Sequence, residues 1–412
     1  MPVAVAALLQ ALLLFRSQPE IAFDSPSYIA QAQSLASSGR SLNARGEPDT
    51  VRTPGYPLYL AAFLVTPLGI DGAVAMQRLM WILMVAAVAW WTFGASGSNT
   101  AGVTAGLITA IDLPSVQAAG SVLTETLAAI VVAAAVWQAY RAAVLRSTLS
   151  GAIAGLLAGV AALVRPVAIL VGAAIAIAIL IAGPRGWRGR LAAVIVIASL
   201  VIPAAWTVRN YARTGVVTFS SISSINLLQY RAAGTLAIRD PGGVDANIQR
   251  RQAELEAAAC RVVEARFARA CDEVPITLRA TVYSGLAMPI ILGDPAATAQ
   301  QAARAFVMIM FGGGANMLSA WTGISEASAR LLAFAYTVPL FMLAVAGAIY
   351  WRRIDRLAAA LMIVTIACLV GLSLGVEAYS RFRVPFLPLY ALLAGGGAAT
   401  LADRAFRRRP SI

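Results

Sequence analysis

An acid and an arginine at opposite ends of one polar segment are the residues of this sequence best suited to chemistry. Asp24 lies shortly after the first apolar segment, and Arg52 lies just before the next one, within the polar stretch 16–52. A charge held where a membrane helix meets water is costly unless it is used, so both are candidates for function. A carboxylate can accept a proton in a reaction, and the planar fork of arginine suits a phosphate.

The composition predicts the kind of protein that surrounds these two residues. Of the 412 residues 59% are hydrophobic and 12% are charged, whereas a soluble domain is about half apolar and about a quarter charged. The mean hydropathy is +0.76. The sequence therefore predicts an all-α polytopic membrane protein, because a transmembrane β-barrel would show short alternating segments instead.

The basic residues are all arginine, and this limits the chemistry. The sequence contains no histidine and no lysine. Zinc sites built on histidine and Ser-His-Asp triads are therefore excluded. The net charge of +13 is explained by arginines that hold loops in the cytoplasm, so no nucleic-acid partner is predicted.

The apolar segments are the elements that must position the candidate residues. They cover 2–15, 57–70, 74–93, 101–119, 123–140, 150–164, 166–183, 190–207, 332–350, 357–375 and 384–402, with weaker ones at 277–293 and 303–320. A full span needs about 20 residues, so we interpret 57–70 as a half-inserted or interfacial helix and 74–93 as the span that follows it. The count is then about ten spans, or about twelve if 277–320 forms a second hairpin.

Clusters of arginine orient these segments. Those at 141–146, 185–190, 352–356 and 404–409 can all be cytoplasmic at once. The other side of the membrane then receives Asp24, Glu125, Arg165, Arg209 and the stretch 377–383. We predict three regions: 1–207, a transmembrane module with a catalytic outer loop 16–56; 208–331, an outer region with interfacial helices; and 332–412, the last helices and a basic tail.

The outer region 208–331 contains two of the three cysteines. Mixed-charge sequence at 247–269 predicts a helix there, and Cys260 and Cys271 lie on it or just beyond it. Outside the cytoplasm a pair at that spacing can form a disulfide. Two free thiols on an amphipathic helix are an equally good interpretation.

Each acidic candidate also has an ordinary explanation. Asp24 precedes Ser25-Pro26, which is typical of a helix N-cap. Glu125 lies near a helix start, where the helix dipole alone favours an acid. Glu47 is explained as a solvated loop charge, and Glu377 as a local partner of Arg381.

The arginines have ordinary explanations as well. Arg52 can snorkel to the lipid headgroups. Arg165 lies in the middle of an apolar hairpin, so it must reach the outer cavity or a buried acid. Arg209 lies on the outer side, against the positive-inside bias, which favours a functional role. An acid and several arginines at one membrane face suit a lipid phosphate with a polar headgroup.

Ordered motifs give this sequence a family resemblance. It resembles the GT-C superfamily of integral-membrane glycosyltransferases, in the branch near protein O-mannosyltransferases and lipid A aminoarabinose transferases. The matching motifs are Asp24-x-x-x-Tyr28, Arg52-Thr53-Pro54-Gly55-Tyr56-Pro57-Leu58, Leu123-Thr124-Glu125-Thr126-Leu127, Leu163-Val164-Arg165-Pro166, Pro203-Ala204-Ala205-Trp206-Thr207-Val208-Arg209-Asn210-Tyr211 and Glu377-x-x-x-Arg381-x-x-x-Pro385.

The resemblance implies a GT-C fold with juxtamembrane helices in the first outer loop. It also implies a glycosyltransferase activity. A sugar would pass from a polyprenyl-phosphate donor to a hydroxyl of a glycan, lipid or protein, with inversion, on the periplasmic side of a bacterial inner membrane. By this likeness Asp24 is the general base and Arg52 holds the donor phosphate. The substrate contacts implied besides Arg52 are Tyr28, Glu47, Arg209, Asn210, Glu377 and Arg381. No metal site is predicted, although a divalent cation, Mg or Mn, is allowed as a cofactor.

Two other functions fit part of the same pattern. A transporter or flippase of a polyprenyl-linked or anionic lipid would use the same arginines without a base at Asp24. It should show paired inverted repeats with broken helices, and no convincing internal repeat is present in the sequence. A scaffold of a glycosylation complex is the third alternative, and it would tolerate Asp24→Asn.

Overall fold

The computed structural model describes residues 1–14 and 21–407, and nearly all of this part is helical. Arg16, Arg408 and Arg409 lie outside the described residues. The described part contains α1 Pro2–Leu14, α2 Ser25–Ser38, α3 Gly55–Leu64, α4 Gly69–Ser96, α5 Asn99–Ile111, α6 Leu113–Gly120, α7 Glu125–Val144, α8 Thr148–Val164, α9 Val171–Ala182, α10 Arg188–Thr214, α11 Ile222–Asn226, α12 Ala233–Ala237, α13 Gly243–Phe267, α14 Ile276–Gly293, α15 Pro295–Phe311, α16 Ala315–Thr322, α17 Glu326–Ile354, α18 Arg356–Leu372 and α19 Leu387–Arg407.

Several of these helices can cross a membrane. Six are long and apolar enough, namely α4, α7, α10, α14, α17 and Ser380–Ala402, and a seventh span results if α15 and α16, bent by 46°, count as one. The protein is therefore an integral membrane protein. The other apolar helices have 10–17 residues, so the count of about ten or about twelve spans stays a prediction.

The segment predicted at 101–119 is not one helix, and that part of the prediction is wrong. The chain breaks at Asp112, whose backbone is extended (φ −63°, ψ 106°), between α5 and α6. The Asp112 carboxylate accepts hydrogen bonds from the backbone N–H of Ser115 at 3.2 Å and from its hydroxyl at 2.6 Å. This N-cap, with Pro114 following it, restarts the helix inside the apolar segment.

Small residues bring the helices around the core close together. Gly151, Gly155 and Gly159 line the face of α8 that packs against α10, and a Cβ at Gly159 would lie 3.0 Å from the Ser199 carbonyl oxygen. This close packing fixes the end of α8, and therefore Arg165, relative to α10. The short helix α3, with ten residues, precedes the long α4, in agreement with the interpretation of 57–70.

The stretch 208–331, predicted to be the outer region, consists mainly of helices packed around α13 and α14. α13 occupies most of the predicted helical stretch 247–269. Cys260 and Cys271 form a disulfide and are not two free thiols. This region contacts the polar segment near the site: the Arg45 guanidinium donates to the Asp272 carbonyl at 3.4 Å, and the hydroxyls of Thr50 and Thr277 are 3.0 Å apart.

Candidate active site

A cavity of about 570 Å³ lies where the two ends of the polar segment meet the end of α8 and the loop between α18 and α19. The π-helical turn Leu227–Ala232 closes another side of it. The cavity is lined by apolar residues and by the polar side chains of Asp24, Tyr28, Arg52, Thr53, Arg165, Asn226, Tyr230, Ser373, Glu377, Tyr379 and Arg381.

Asp24 occupies the N-cap position of α2 without acting as a cap. Its side chain makes no capping hydrogen bond. Instead, Oδ1 accepts from Arg52 at 2.7 Å and Oδ2 accepts from Arg381 at 2.9 Å. Burial raises the pKa of Asp24, but the two guanidinium groups outweigh burial, so the pKa lies below its ordinary value. The carboxylate is therefore ionised, and it is 19% exposed, within reach of a ligand in the cavity.

Arg52 is held in place by several contacts and does not simply snorkel. Besides Asp24, its guanidinium contacts the Ser27 hydroxyl at 3.0 Å and the Tyr28 hydroxyl at 3.3 Å. It also lies 4.9 Å from the centroid of the Tyr28 ring. Its backbone N–H donates to the Asp49 carboxylate at 3.0 Å. The guanidinium is therefore pre-oriented at the cavity wall.

A second carboxylate extends the ion-pair network. Glu125 at the start of α7 forms ion pairs with Arg165 at 2.8 Å and with Arg381 at 3.3 Å. Arg165 thus reaches a buried acid, and Glu125 has partners more specific than the helix dipole. Positive and negative groups alternate in the order Arg52, Asp24, Arg381, Glu125, Arg165. Three positive and two negative charges leave the network at +1, which favours an anionic ligand.

A glycine allows two walls of the site to meet. Gly55, the first residue of α3, lies against the last turn of α8, where a Cβ would be 2.6 Å from the Leu163 carbonyl carbon and the Val164 nitrogen. A larger residue would push the two backbones apart. The close approach keeps the chain that follows Arg52 beside the chain that precedes Arg165.

The sequence did not predict the ion pair that holds the segment carrying Arg381. Arg383 and Asp112 pair with each other, and both side chains are 0% exposed. Arg383 also donates to the Met310 carbonyl at 3.0 Å. Arg383 is two residues from Arg381, so this pair fixes the segment that carries Arg381. The signal in the sequence that could have indicated this pair is Asp112, the single acid inside the apolar stretch 101–119.

Glu377 lies on the cavity wall without the partner expected for it. Arg381 pairs with Asp24 and Glu125, so the local Glu377–Arg381 pair is absent. The Glu377 Oε2 atom is buried and has no hydrogen-bond partner among the described residues. Burial raises the pKa of this carboxyl, with the charge of Arg231 opposing the shift.

Glu377→Gln should therefore stabilise the protein in a pH-dependent way. Because the pKa is raised above 4.5 in the folded state, the folded protein binds the proton more tightly, and stability is lost as the pH rises through that window. We expect the melting temperatures of the two proteins to be closest at about pH 4, and that of the variant to be increasingly higher as the pH rises. Thermal unfolding from pH 4 to 8 measures this. Glu326→Gln, at an exposed glutamate, is the control, and a pH-independent difference would contradict the assignment.

Glu47 lies outside the group of residues that line the cavity. It is exposed, at the end of a turn in the polar segment. Its Oε2 atom accepts from the Asn43 amide at 3.0 Å. The structure therefore does not bring Glu47 together with Asp24.

Arg209 and Asn210 hold the polar segment and the chain after α10. Arg209 donates to the Ser41 carbonyl at 2.7 Å and to the Asp49 carbonyl at 3.0 Å. The Asn210 amide donates to the carbonyls of residues 218 and 219 at 2.9 and 3.2 Å. Neither residue lines the Asp24 cavity, so the structure gives both a supporting position.

Solved structures of similar fold include the oligosaccharyltransferase AglB from Archaeoglobus fulgidus. One, in complex with an inhibitory peptide and a dolichol-phosphate, has a TM-score of 0.54 and 14% identity, covering 98% of this chain and 51% of that chain. Another, a complex with Zn and sulfate, has a TM-score of 0.55 and 15% identity, covering 99% and 50%. The chain thus spans about half the length of AglB.

A weaker likeness is to ArnT from Cupriavidus metallidurans in the apo state, with a TM-score of 0.42 and 16% identity, covering 98% of this chain and 79% of that chain. No family model and no curated protein matches the sequence. The fold assignment depends on the likeness to AglB and on the arrangement of the helices. The chain therefore shares the helical membrane fold of AglB, in agreement with the fold class that its motifs predict.

Proposed function

We propose that this protein is a membrane glycosyltransferase that moves a sugar from a polyprenyl-phosphate-linked donor to an acceptor hydroxyl, with inversion, on the periplasmic face of a bacterial inner membrane. The observation that carries the proposal is the position of Asp24 between Arg52 and Arg381 at the wall of a cavity. A base beside two phosphate-binding groups is the arrangement that this reaction requires.

The donor phosphate would bind where the two arginines now hold Asp24. Its oxygens would accept hydrogen bonds from the guanidinium groups of Arg52 and Arg381. A guanidinium group binds a phosphate as well as it binds a carboxylate. As the guanidinium groups move toward the phosphate, the cause of the low pKa of Asp24 weakens, so the carboxylate becomes a stronger base. Donor binding would therefore prepare the base. AglB, which shares the fold, was solved with a dolichol-phosphate, a ligand of the kind proposed here.

The chemical step follows from these positions. The acceptor oxygen forms a bond to the anomeric carbon, and its proton passes to Asp24. The bond between the anomeric carbon and the phosphate oxygen breaks, and its electron pair leaves with the polyprenyl phosphate. The arginines stabilise the charge that develops on that phosphate. Attack from the side opposite the leaving group inverts the anomeric configuration.

Other residues that line the cavity are suited to sugar hydroxyls. Glu377, Tyr230 and Asn226 line it, and all three can donate or accept hydrogen bonds when the Glu377 carboxyl is protonated. The hydroxyl of Tyr28 already contacts Arg52, so we assign Tyr28 to holding that arginine. For Arg209 we propose that it holds the loop that carries Asp49 and Arg52, and for Asn210 that it holds the chain that follows α10.

The direct test is sugar transfer by the purified protein in lipid nanodiscs. A panel of polyprenyl-phosphate monosaccharides is supplied as donors, with a membrane or glycan extract as acceptor. We expect one donor to be consumed, with release of polyprenyl phosphate and an inverted linkage in the product. If an intact donor instead crosses the bilayer of a proteoliposome without cleavage, the protein is a transporter and the proposal fails.

Arg52→Lys should weaken donor binding and leave the charge of the site unchanged. Lysine keeps the positive charge but loses the fork that contacts Asp24, Ser27 and Tyr28. A hydrogen bond to a charged group contributes about 1.5–3 kcal/mol, so we expect donor affinity to fall by about 10- to 100-fold. Arg304→Lys, at a partly exposed arginine of α15, is the matched control. Unchanged donor affinity would remove Arg52 from the phosphate site.

A further inference from the structure

A second cavity of the outer end of the molecule differs from the Asp24 cavity in position and chemistry. It is a groove of about 670 Å³ between α3, α8, α10 and the loop 39–48. None of its lining residues lines the Asp24 cavity, and the chain around Thr53 and Val164 separates the two. The mechanism proposed above does not use this groove.

The floor of the groove is apolar and partly exposed. Leu58, Leu163, Ile202, Ala205 and Trp206 form it. The Leu58 side chain on α3 is 50% exposed, and the exposed Ala205 lies on α10, which is apolar enough to span a membrane. Apolar side chains exposed on such a helix contact acyl chains in the bilayer. The floor is therefore suited to a hydrocarbon chain.

The rim of the groove carries positive charge that no acid neutralises completely. Arg40, Arg209 and Arg213 line it. Arg209 is engaged by two carbonyls, but Arg40 and Arg213 are exposed, and among the described residues neither side chain has a hydrogen bond or an ion pair. Asp49, the acid near Arg209, is buried and accepts from two backbone N–H groups.

Topology does not account for these arginines. They lie at the end of the molecule opposite the clusters predicted to be cytoplasmic, so the positive-inside bias predicts few arginines here. Free cations above an apolar floor at the level of the headgroups match the two parts of an anionic lipid. Charge complementarity therefore favours an anionic lipid as the ligand of this groove.

We propose that this groove binds a phospholipid with an anionic phosphate headgroup, which lies between Arg40 and Arg213 while an acyl chain covers the floor. The site would also support the catalytic loop. Arg209 donates to the Asp49 carbonyl, and the Asp49 carboxylate accepts from the Arg52 N–H. A lipid that holds the rim would therefore hold the loop that ends at Arg52.

The test uses Trp206 as a reporter within the groove. Protein is placed in phosphatidylcholine nanodiscs that contain a rising fraction of brominated phosphatidylglycerol or, separately, brominated phosphatidylcholine. The fluorescence of Trp206→Phe is subtracted from that of the wild type to isolate Trp206. Each of the two arginines near an anionic lipid contributes about 1 kcal/mol, so quenching by phosphatidylglycerol should reach its midpoint at a fraction about 30-fold lower than quenching by phosphatidylcholine.

A double variant and a matched control complete the test. Arg40→Gln with Arg213→Gln should bring the phosphatidylglycerol midpoint to that of phosphatidylcholine. Arg141→Gln with Arg146→Gln removes the same charge at the other end of the molecule and should leave the preference unchanged. Quenching by phosphatidylcholine verifies that the groove stays formed in all variants. Equal midpoints for the two lipids in the wild type, or the same loss in the control variant, would overturn the proposal.

Discussion

Asp24→Asn should reduce sugar transfer by at least about 100-fold, the lower range for loss of a general base. Asparagine has nearly the same shape as aspartate but cannot take the proton of the acceptor hydroxyl. The substitution also removes the negative charge that Arg52 and Arg381 share. The donor phosphate then has no carboxylate to displace, so we expect donor affinity to be retained or increased.

Two measurements on the same protein separate these effects. Initial rates with saturating donor report the chemical step, and equilibrium binding of a labelled polyprenyl phosphate reports the phosphate site. Asp71→Asn, at an exposed acid in the first turn of α4, controls for the loss of one negative charge. A variant that keeps at least half of the wild-type rate would remove Asp24 from catalysis and favour the transporter.

Arg383→Met should have the largest effect on stability. The substitution leaves Asp112 buried without its ion-pair partner, and breaking a buried pair in this way costs about 3–5 kcal/mol. We expect a clear fall in the melting temperature in detergent, measured by tryptophan fluorescence. The double variant Asp112→Asn with Arg383→Met should recover part of that loss, because no unpaired charge is then left in the core.

A surface pair provides the comparison. Arg330 and Glu326 form an ion pair at 3.1 Å, and their side chains are 70% and 68% exposed. Arg330→Met should therefore change the free energy of unfolding by less than about 1 kcal/mol. If the double variant at Asp112 and Arg383 is no more stable than Arg383→Met alone, the pair does not act as a unit.

The sequence predicted the site to the extent that single residues carried their own signal. Asp24, Arg52 and Arg165 are charges beside or within apolar segments, where an unused charge is costly. Each lines the cavity. The fold was predictable for a similar reason, because long apolar segments have few alternatives to membrane helices.

The partners of these residues were not predictable, because they depend on tertiary packing. Arg381 reaches Asp24 across 357 residues of sequence, and nothing local distinguishes that contact from the expected one with Glu377. The direction of a side chain at a helix end decides between neighbouring cavities, which is why Arg209 lies at a different cavity from Arg52. Glu47 lies in an exposed turn of the polar segment, and its sequence neighbours do not distinguish that position from one at the cavity.

The disulfide has a consequence for the order in which the protein matures. With the outer location proposed for this stretch, the bond between Cys260 and Cys271 would form only after the stretch has left the reducing cytoplasm. The Asp272 carbonyl beside it accepts from Arg45 of the polar segment, so oxidation would complete one of the supports of the loop that ends at Arg52. Newly inserted protein would then acquire its finished site only once its outer region has been exported and oxidised, and transfer could not begin on the wrong side of the membrane.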